Sequence, residues 1–134
     1  MKCLIDTQIL IWYQLDSGRL SKNSIDILLN LSNQIYVSQV TIFELAIKQK
    51  VGKLPEFGIS IDQLISLIKR DGFEILQIQG KHIVAYSEIP LLPNHRDPFD
   101  RLIIATALYE QMPLISADEK FKSYKGIIDL IENN

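Results

Sequence analysis

The chain has 134 residues, a formal net charge of −2, and 47% hydrophobic and 22% charged residues. This length suits one domain with one core, no apolar run approaches the ~20 residues of a membrane-spanning helix, and the charge argues against a surface that binds nucleic acid throughout. The single cysteine excludes an internal disulfide, and the N-terminus lacks the apolar core of a secretory signal, so we expect a cytoplasmic protein.

Short apolar runs alternate with longer segments of helical periodicity. The runs predict strands at Lys2–Ile5, Gln34–Ser38, Glu74–Ile78, Leu114–Ser116 and Ile127–Leu130. The helical patterns lie at Gln8–Leu15, Ser24–Leu31, Thr41–Val51, Ile61–Arg70, Lys81–Ser87, Pro98–Glu110 and Glu119–Tyr124. The alternation predicts one α/β domain over residues 1–134, with a central, mostly parallel twisted sheet flanked by helices on both faces. Ligands of such sheets collect at the carboxyl ends of the strands.

Four acidic residues stand where an acid is locally unfavourable. Asp6 closes an apolar run, Glu44 interrupts an apolar helical pattern, Asp100 precedes Leu102–Ala105, and Asp118 follows the fourth predicted strand. Carboxylates about 4–5 Å apart repel by about 3–4 kcal/mol per pair at an effective dielectric near 20, so a fold that converges them needs a cation. Oxygen ligands without a nearby Cys or His pair favour magnesium or manganese over zinc.

Each of these acids also has a purely structural explanation. Asp6 or Thr7 would cap the first helix, and Asp118 would cap the helix after it. Glu44 would be exposed if it paired with Lys48 one helical turn later. The sequence pattern alone leaves these alternatives open.

The segment from His95 to Arg101 combines a helix start with charge. Asp97 suits the N-cap and is a candidate supporting residue, whereas Asp100 leads into an apolar stretch and is the candidate ligand. Arg96 and Arg101 are candidate phosphate contacts, with a surface or salt-bridge role as the alternative. Neither His82 nor His95 has metal-ligand spacing, and we expect both at the surface.

Four motifs in order carry a resemblance to a known family. They are Leu4-Ile5-Asp6-Thr7 with Trp12, Val37-Ser38 with Glu44-Leu45, the stretch from His95 to Ala105, and Leu114-Ile115-Ser116-Ala117-Asp118 with Phe121. Together they resemble the PIN-domain family, most closely its VapC-type toxins, over nearly the whole chain. The resemblance implies a compact α/β nuclease that binds magnesium or manganese, hydrolyses RNA, pairs with a small antitoxin and forms a homodimer.

The resemblance also assigns roles to residues. Asp6, Glu44, Asp100 and Asp118 correspond to the family's acidic ligands, Asp97 belongs to the motif of this branch, and Thr7 and Ser116 occupy positions where a hydroxyl supports the site. Metal ions held there would polarise the phosphate and activate a water for in-line attack, with Glu44 as a ligand or as the group that orients this water.

Two other classes of protein remain as alternatives. A phosphoacceptor signalling domain also uses magnesium at strand ends, but it needs an acceptor Asp after a central strand, and Glu74–Ile78 is followed by Gln79-Gly80. A non-catalytic PIN-like binding module would be expected to have a damaged acidic set, and no acid is missing here.

Two apolar helical stretches predict a partner surface. Ile9–Tyr13 and Ile61–Ile68 carry more large hydrophobic residues than one core needs, and exposed apolar patches usually mark interfaces. We expect an amphipathic antitoxin helix in a groove between such helices, with Trp12 and Tyr13 at the interface and Ile9 and Ile65 in the core.

Overall fold

Five strands form one all-parallel sheet in the computed structural model, which describes residues 1–134. In chain order they are β1 (Lys2–Ile5), β2 (Gln34–Ser38), β3 (Glu74–Leu76), β4 (Leu114–Ser116) and β5 (Leu130–Glu132). Their order across the sheet is β3-β2-β1-β4-β5, with Cys3 opposite Ile35 and Leu4 opposite Leu114. The parallel α/β prediction is confirmed, and β1 is the central strand.

Helices cover both faces of this sheet. They are α1 (Thr7–Leu15), α2 (Lys22–Leu29), α3 (Gln39–Lys50), α4 (Ile61–Arg70), α5 (Gly80–Tyr86), α6 (Pro98–Glu110) and a 3₁₀ helix at Glu119–Tyr124. Side chains of β1 alternate between two cores, since Cys3 and Ile5 pack with residues of α1, α2 and α4 while Leu4 packs with residues of α5 and α6. No helix combines the length and apolar character that crossing a membrane would require.

Two strand predictions have the wrong bounds. The third strand ends at Leu76, because Leu76 pairs with Ser38, the last residue of β2, and α3 begins at the next residue. The Ile78 amide donates to the Gln39 side chain instead of to a strand. The fifth strand begins only at Leu130, which pairs with Leu114. Ile128 is buried in a turn before the strand, so its apolar character reflects core packing rather than pairing.

Both histidines are buried, so the surface prediction for them is wrong. His82 is fully enclosed at the start of α5, where Nδ1 accepts from the Gln79 amide at 3.1 Å and Nε2 lies 2.6 Å from Glu110 Oε2. These two bonds satisfy the ring and tie α5 to the end of α6.

Candidate active site

A polar cleft of about 150 Å³ lies at the carboxyl edge of the sheet. Its lining residues are Asp6, Thr7, Gln8, Ile11, Glu44, Lys48, Asp97, Asp100 and Asp118, of which only Ile11 is apolar. Four of the five acids are those that the sequence marked as unfavourably placed. The parallel strands bring Asp6, Glu44 and Asp118 together, because β1, β2 and β4 are neighbours and each is followed by a turn or helix at the same edge. Asp100 joins them from the first turn of α6.

Asp6 is the most enclosed acid, with 3% of its surface exposed. It caps α1 through Oδ1, which accepts from the Ile9 amide at 2.9 Å, while Oδ2 accepts from the Ser116 hydroxyl at 2.5 Å. Burial, with a smaller effect of the nearby Asp100 and Asp118, raises the pKa of Asp6 to about 7 against the opposing effect of these two hydrogen bonds. The site therefore opposes a negative charge here unless a cation is present.

Glu44 is held on both sides within α3. Its Oε1 accepts from the Thr7 hydroxyl at 2.7 Å, and Thr7 also lies 3.1 Å from the hydroxyl of Thr41. Its Oε2 lies 3.1 Å from Lys48 Nζ. The ion pair with Lys48 is therefore present, but Glu44 is only 6% exposed, so the pair forms inside the cleft wall rather than on a solvated face.

Asp97 and Asp100 occupy the start of α6 in different ways. Asp97 Oδ1 accepts from the amides of Phe99 and Asp100 at 2.8 and 3.3 Å, which confirms the predicted N-cap. Asp100 lies in the first turn, where Oδ2 is 3.2 Å from His95 Nε2. Burial raises the pKa of Asp100 to about 6, and the hydrogen bond from His95 opposes that rise.

Asp118 follows β4 and caps the 3₁₀ helix. Its Oδ1 accepts from the Lys120 amide at 2.9 Å, and its own amide donates to the Ser116 hydroxyl at 3.0 Å. Ser116 thus contacts both Asp6 and Asp118, and Thr7 contacts Glu44. Both hydroxyls expected to support the site lie beside its acids.

The positive charges differ from expectation. Arg101 is 3% exposed, and its guanidinium donates to the carbonyls of Pro90 and Ile89 at 2.6 and 2.9 Å, so the expected phosphate contact is corrected to a structural role. Arg96 is exposed and does not line the cleft. Lys48 is the only cation that does, and its position four residues after Glu44 was the available signal in the sequence.

The donors of the cleft match a hard divalent ion in type. Five carboxylates face a small polar space, and burial raises the pKa of two of them, which a cation would reverse. No group of three or more acidic, histidine or cysteine side chains is close enough to hold an ion together. Direct coordination of one ion by three of these side chains would therefore require them to move closer together.

Comparisons with known proteins agree with this fold. The family model described as PIN domain matches residues 3–127. VapBC2 from Rickettsia felis, solved with a DNA fragment from its promoter, is 23% identical, covers 100% of both chains and has a TM-score of 0.68. VapBC-1 from nontypeable Haemophilus influenzae is 19% identical over 98% of both chains, with a TM-score of 0.66. VapBC-5 from Mycobacterium tuberculosis is 20% identical over 98% of this chain and 96% of the other, with a TM-score of 0.57. No curated protein matches the chain by sequence.

Proposed function

The chain belongs to the PIN domain family, and we propose that it is a metal-dependent endoribonuclease, the toxin of a VapBC-type toxin–antitoxin pair. One observation carries the proposal: Asp6, Glu44, Asp100 and Asp118, far apart in sequence, line the same small cleft. Carboxylates gathered in this way are the usual ligands of Mg²⁺ or Mn²⁺ in enzymes that act on phosphodiesters.

The acids and hydroxyls of the cleft have different roles in the proposed reaction. Asp6, Asp100 and Asp118 hold the ion directly or through water, and Glu44 is a further ligand or orients the attacking water. When bound, Mg²⁺ or Mn²⁺ supplies charge neutralisation at the phosphate and acidifies water. Thr7 and Ser116 keep two of the carboxylates in place by donating hydrogen bonds to them. No side chain is needed as a nucleophile.

In this proposal, positively charged side chains near the cleft bind the phosphate groups of the RNA backbone. Lys48 lines the cleft with a side chain 40% exposed, and Arg96 precedes the lining residue Asp97. In the proposed complex both contact phosphate groups, which bind such cations through charge-assisted hydrogen bonds. Because the overall charge is −2, this local pair would have to supply the attraction.

RNA cleavage mapping tests the proposed activity. Purified protein is incubated with total cellular RNA in Mg²⁺, in Mn²⁺ and in chelator, beside Asp100→Asn and the control Glu56→Gln, which changes an exposed acid that does not line the cleft. We expect defined cleavage sites for wild type and Glu56→Gln with metal only. Cleavage that persists in chelator, or equal cleavage by Asp100→Asn, contradicts the proposal.

A groove offers a place for the proposed antitoxin. It encloses about 360 Å³ and is lined by Trp12 and Tyr13 of α1, by Leu20, Ile25 and Leu29, and by Arg70 at the end of α4. Trp12 and Tyr13 are half-buried there, whereas Ile9 belongs to the core. An amphipathic helix laid in this groove would cover these side chains, and a basic residue reaching the cleft would compete with the ion.

Co-expression tests the toxin assignment separately from the chemistry. The chain alone should arrest growth, and co-expression of the small open reading frame expected beside its gene should abolish toxicity and yield a complex that co-purifies. A chain that is harmless alone and has no small neighbour contradicts the toxin assignment even if it cleaves RNA.

We also propose a homodimer in the cytoplasm. Phe43, Ile47 and Val51 form an exposed apolar row along α3 that a second copy would cover. Sedimentation at several concentrations measures the assembly. A monomer throughout the micromolar range would contradict the dimer and leave the nuclease proposal intact.

The alternative functions receive less support. A phosphoacceptor needs an accessible Asp after a central strand; Asp6 follows the central strand β1, but it is buried and both oxygens already accept hydrogen bonds. The strand Glu74–Leu76 lies at the edge of the sheet. A non-catalytic module would have no reason to keep four acids in one cleft, where their mutual repulsion destabilises the fold.

A further inference from the structure

We propose that His95 and Tyr124 are positioning residues that together fix the carboxylate of Asp100 at the cleft, an inference that rests on the proposed function. Tyr124 Oη lies 2.8 Å from His95 Nδ1, and His95 Nε2 lies 3.2 Å from Asp100 Oδ2. The three side chains form a row that runs from the core to the cleft. Neither His95 nor Tyr124 lines the cleft itself.

The imidazole of His95 is firmly held. Its exposure is 2%, and its ring centroid lies 5.3 Å from those of Phe121 and Tyr124. Its amide donates to the Leu92 carbonyl at 3.2 Å, which closes the turn before α6. Ring packing and a closed turn together leave the imidazole little freedom to rotate away from Asp100.

Hydrogen-bond chemistry assigns the tautomer. An ionised carboxylate only accepts, so Nε2 must carry the hydrogen that faces Asp100. In the neutral ring, Nδ1 then has a free electron pair and accepts from the Tyr124 hydroxyl. The Tyr124 hydroxyl therefore supports the ring form that donates to Asp100, much as the partners of metal-bound residues fix their orientation in known metal sites.

Asp100 needs such a restraint because its neighbours repel it. Asp97 and Glu44 are like charges close to it, and it lies in the first turn of a helix at the edge of the cleft, where rotation into solvent would relieve repulsion. The bond from His95 retains Oδ2, and Oδ1 accepts no hydrogen bond from the protein. The carboxylate is thus held with one oxygen available for a cation.

The same arrangement couples two acids. The 3₁₀ helix begins with Asp118 as its N-cap and ends with Tyr124, and its Phe121 packs against His95. The six-residue 3₁₀ helix therefore positions Asp118 directly, at its N-terminus, and Asp100 indirectly, through His95. A change in this helix would alter the placement of both acids.

The alternative is that His95 has only a structural role, in which it packs in the core and forms hydrogen bonds there. It predicts that substitutions lower stability and leave ion affinity unchanged in the folded protein. Removing the partner of a metal-bound residue typically lowers metal affinity by about 10- to 100-fold. Mn²⁺ affinity therefore separates the two roles without measuring RNA cleavage.

The experiment measures Mn²⁺ binding by calorimetry for wild type, His95→Ala, His95→Gln, Tyr124→Phe and Tyr86→Phe. Tyr86→Phe is the matched control, because it also removes one hydroxyl, here a partner of Arg101 rather than of His95. We expect about 10- to 100-fold weaker binding for His95→Ala, partial recovery in His95→Gln because its amide can donate, and unchanged binding for Tyr86→Phe.

Tyr124→Phe keeps the inference testable if His95→Ala does not fold. We expect it to weaken Mn²⁺ binding and to shift the ¹⁵N resonance of His95 Nδ1, which loses its hydrogen bond. Wild-type affinity together with wild-type ring resonances in Tyr124→Phe would overturn the inference alone. Wild-type protein that binds no Mn²⁺ would overturn the proposed function and this inference with it.

Discussion

The Ser116 hydroxyl donates to Asp6 Oδ2 at 2.5 Å and so joins the end of β4 to the turn after β1. The hydroxyl oxygen of Ser116 also accepts from the Asp118 amide at 3.0 Å, so one small side chain contacts two acids of the cleft. A donor aimed at a buried carboxylate favours its charged form. Ser116 thus offsets part of the destabilisation that burial imposes on Asp6.

Metal-free protein should become less stable as the pH rises through the range set by Asp6. Its pKa is raised from the ordinary 3.8 to about 7, so between these values the native state binds more protons than the unfolded state and the free energy of unfolding falls with increasing pH. Thermal melts in chelator at pH 5 and pH 8 measure this. Asp6→Asn should reduce the dependence to the part that Asp100 contributes, because the pKa of Asp100 is also raised, to about 6, and Glu56→Gln should leave the dependence unchanged. Equal slopes for wild type and Asp6→Asn would show that Asp6 does not titrate in this range.

Magnesium or manganese should raise the melting temperature of the wild-type protein. A ligand that binds only the folded state stabilises it by about 2.7 kcal/mol at a concentration 100 times its Kd. Asp100→Asn should lose much of this response, and in chelator it should melt above wild type because one of several like charges is gone. An identical metal response in both proteins would exclude Asp100 as a ligand.

Asp6→Asn, Glu44→Gln, Asp100→Asn and Asp118→Asn should each reduce RNA cleavage by roughly 100-fold or more, as expected for groups that stabilise a charged transition state. Double substitutions should add little, because residues that act through one site are not additive. Asp97→Asn should do less damage, since Asn remains a good N-cap. Cleavage rates on a defined RNA, with circular dichroism to verify folding, measure these effects. Our division of roles would be wrong if Asp97→Asn were the inactive variant and Asp100→Asn remained active.

Substitution of Arg101 should lower stability, whereas substitution of Arg96 should lower RNA affinity. Arg101→Met leaves the buried Ile89 carbonyl without its donor, which costs about 1–3 kcal/mol for that group, so the melting temperature should fall. Arg96→Met, on the exposed side of the same motif, should leave the melting temperature unchanged and weaken RNA binding. Binding of labelled RNA at two salt concentrations, beside thermal melts, separates the two. Unchanged stability in Arg101→Met would contradict its structural role.

Local signals in the sequence were sufficient to locate all five strands, although not the bounds of β3 and β5, and to find four acids that line the cleft. Apolar runs mark β1, β2 and β4, and the neighbourhood of each acid is apolar, so both features are visible within a few residues. The burial of His95 and Arg101 was not visible, because their partners are distant in sequence. Tyr124 lies 29 positions after His95, and Ile89 lies 12 positions before Arg101. Pairing across the sheet likewise determined the bounds of β5, which apolar content alone misplaced.

The pairing of β1 with β4 has a consequence for synthesis of the chain. Leu4 lies opposite Leu114, so the central strand acquires its second neighbour only after the residues up to Leu114 have left the ribosome. Pairings this distant in sequence form late, because the intervening loop must first be ordered. Asp118 and the Ser116 hydroxyl that holds Asp6 arrive with the same strand. A nascent chain in which β4 has not yet emerged therefore has no assembled cleft, and any nuclease activity begins only after β4 has paired with β1.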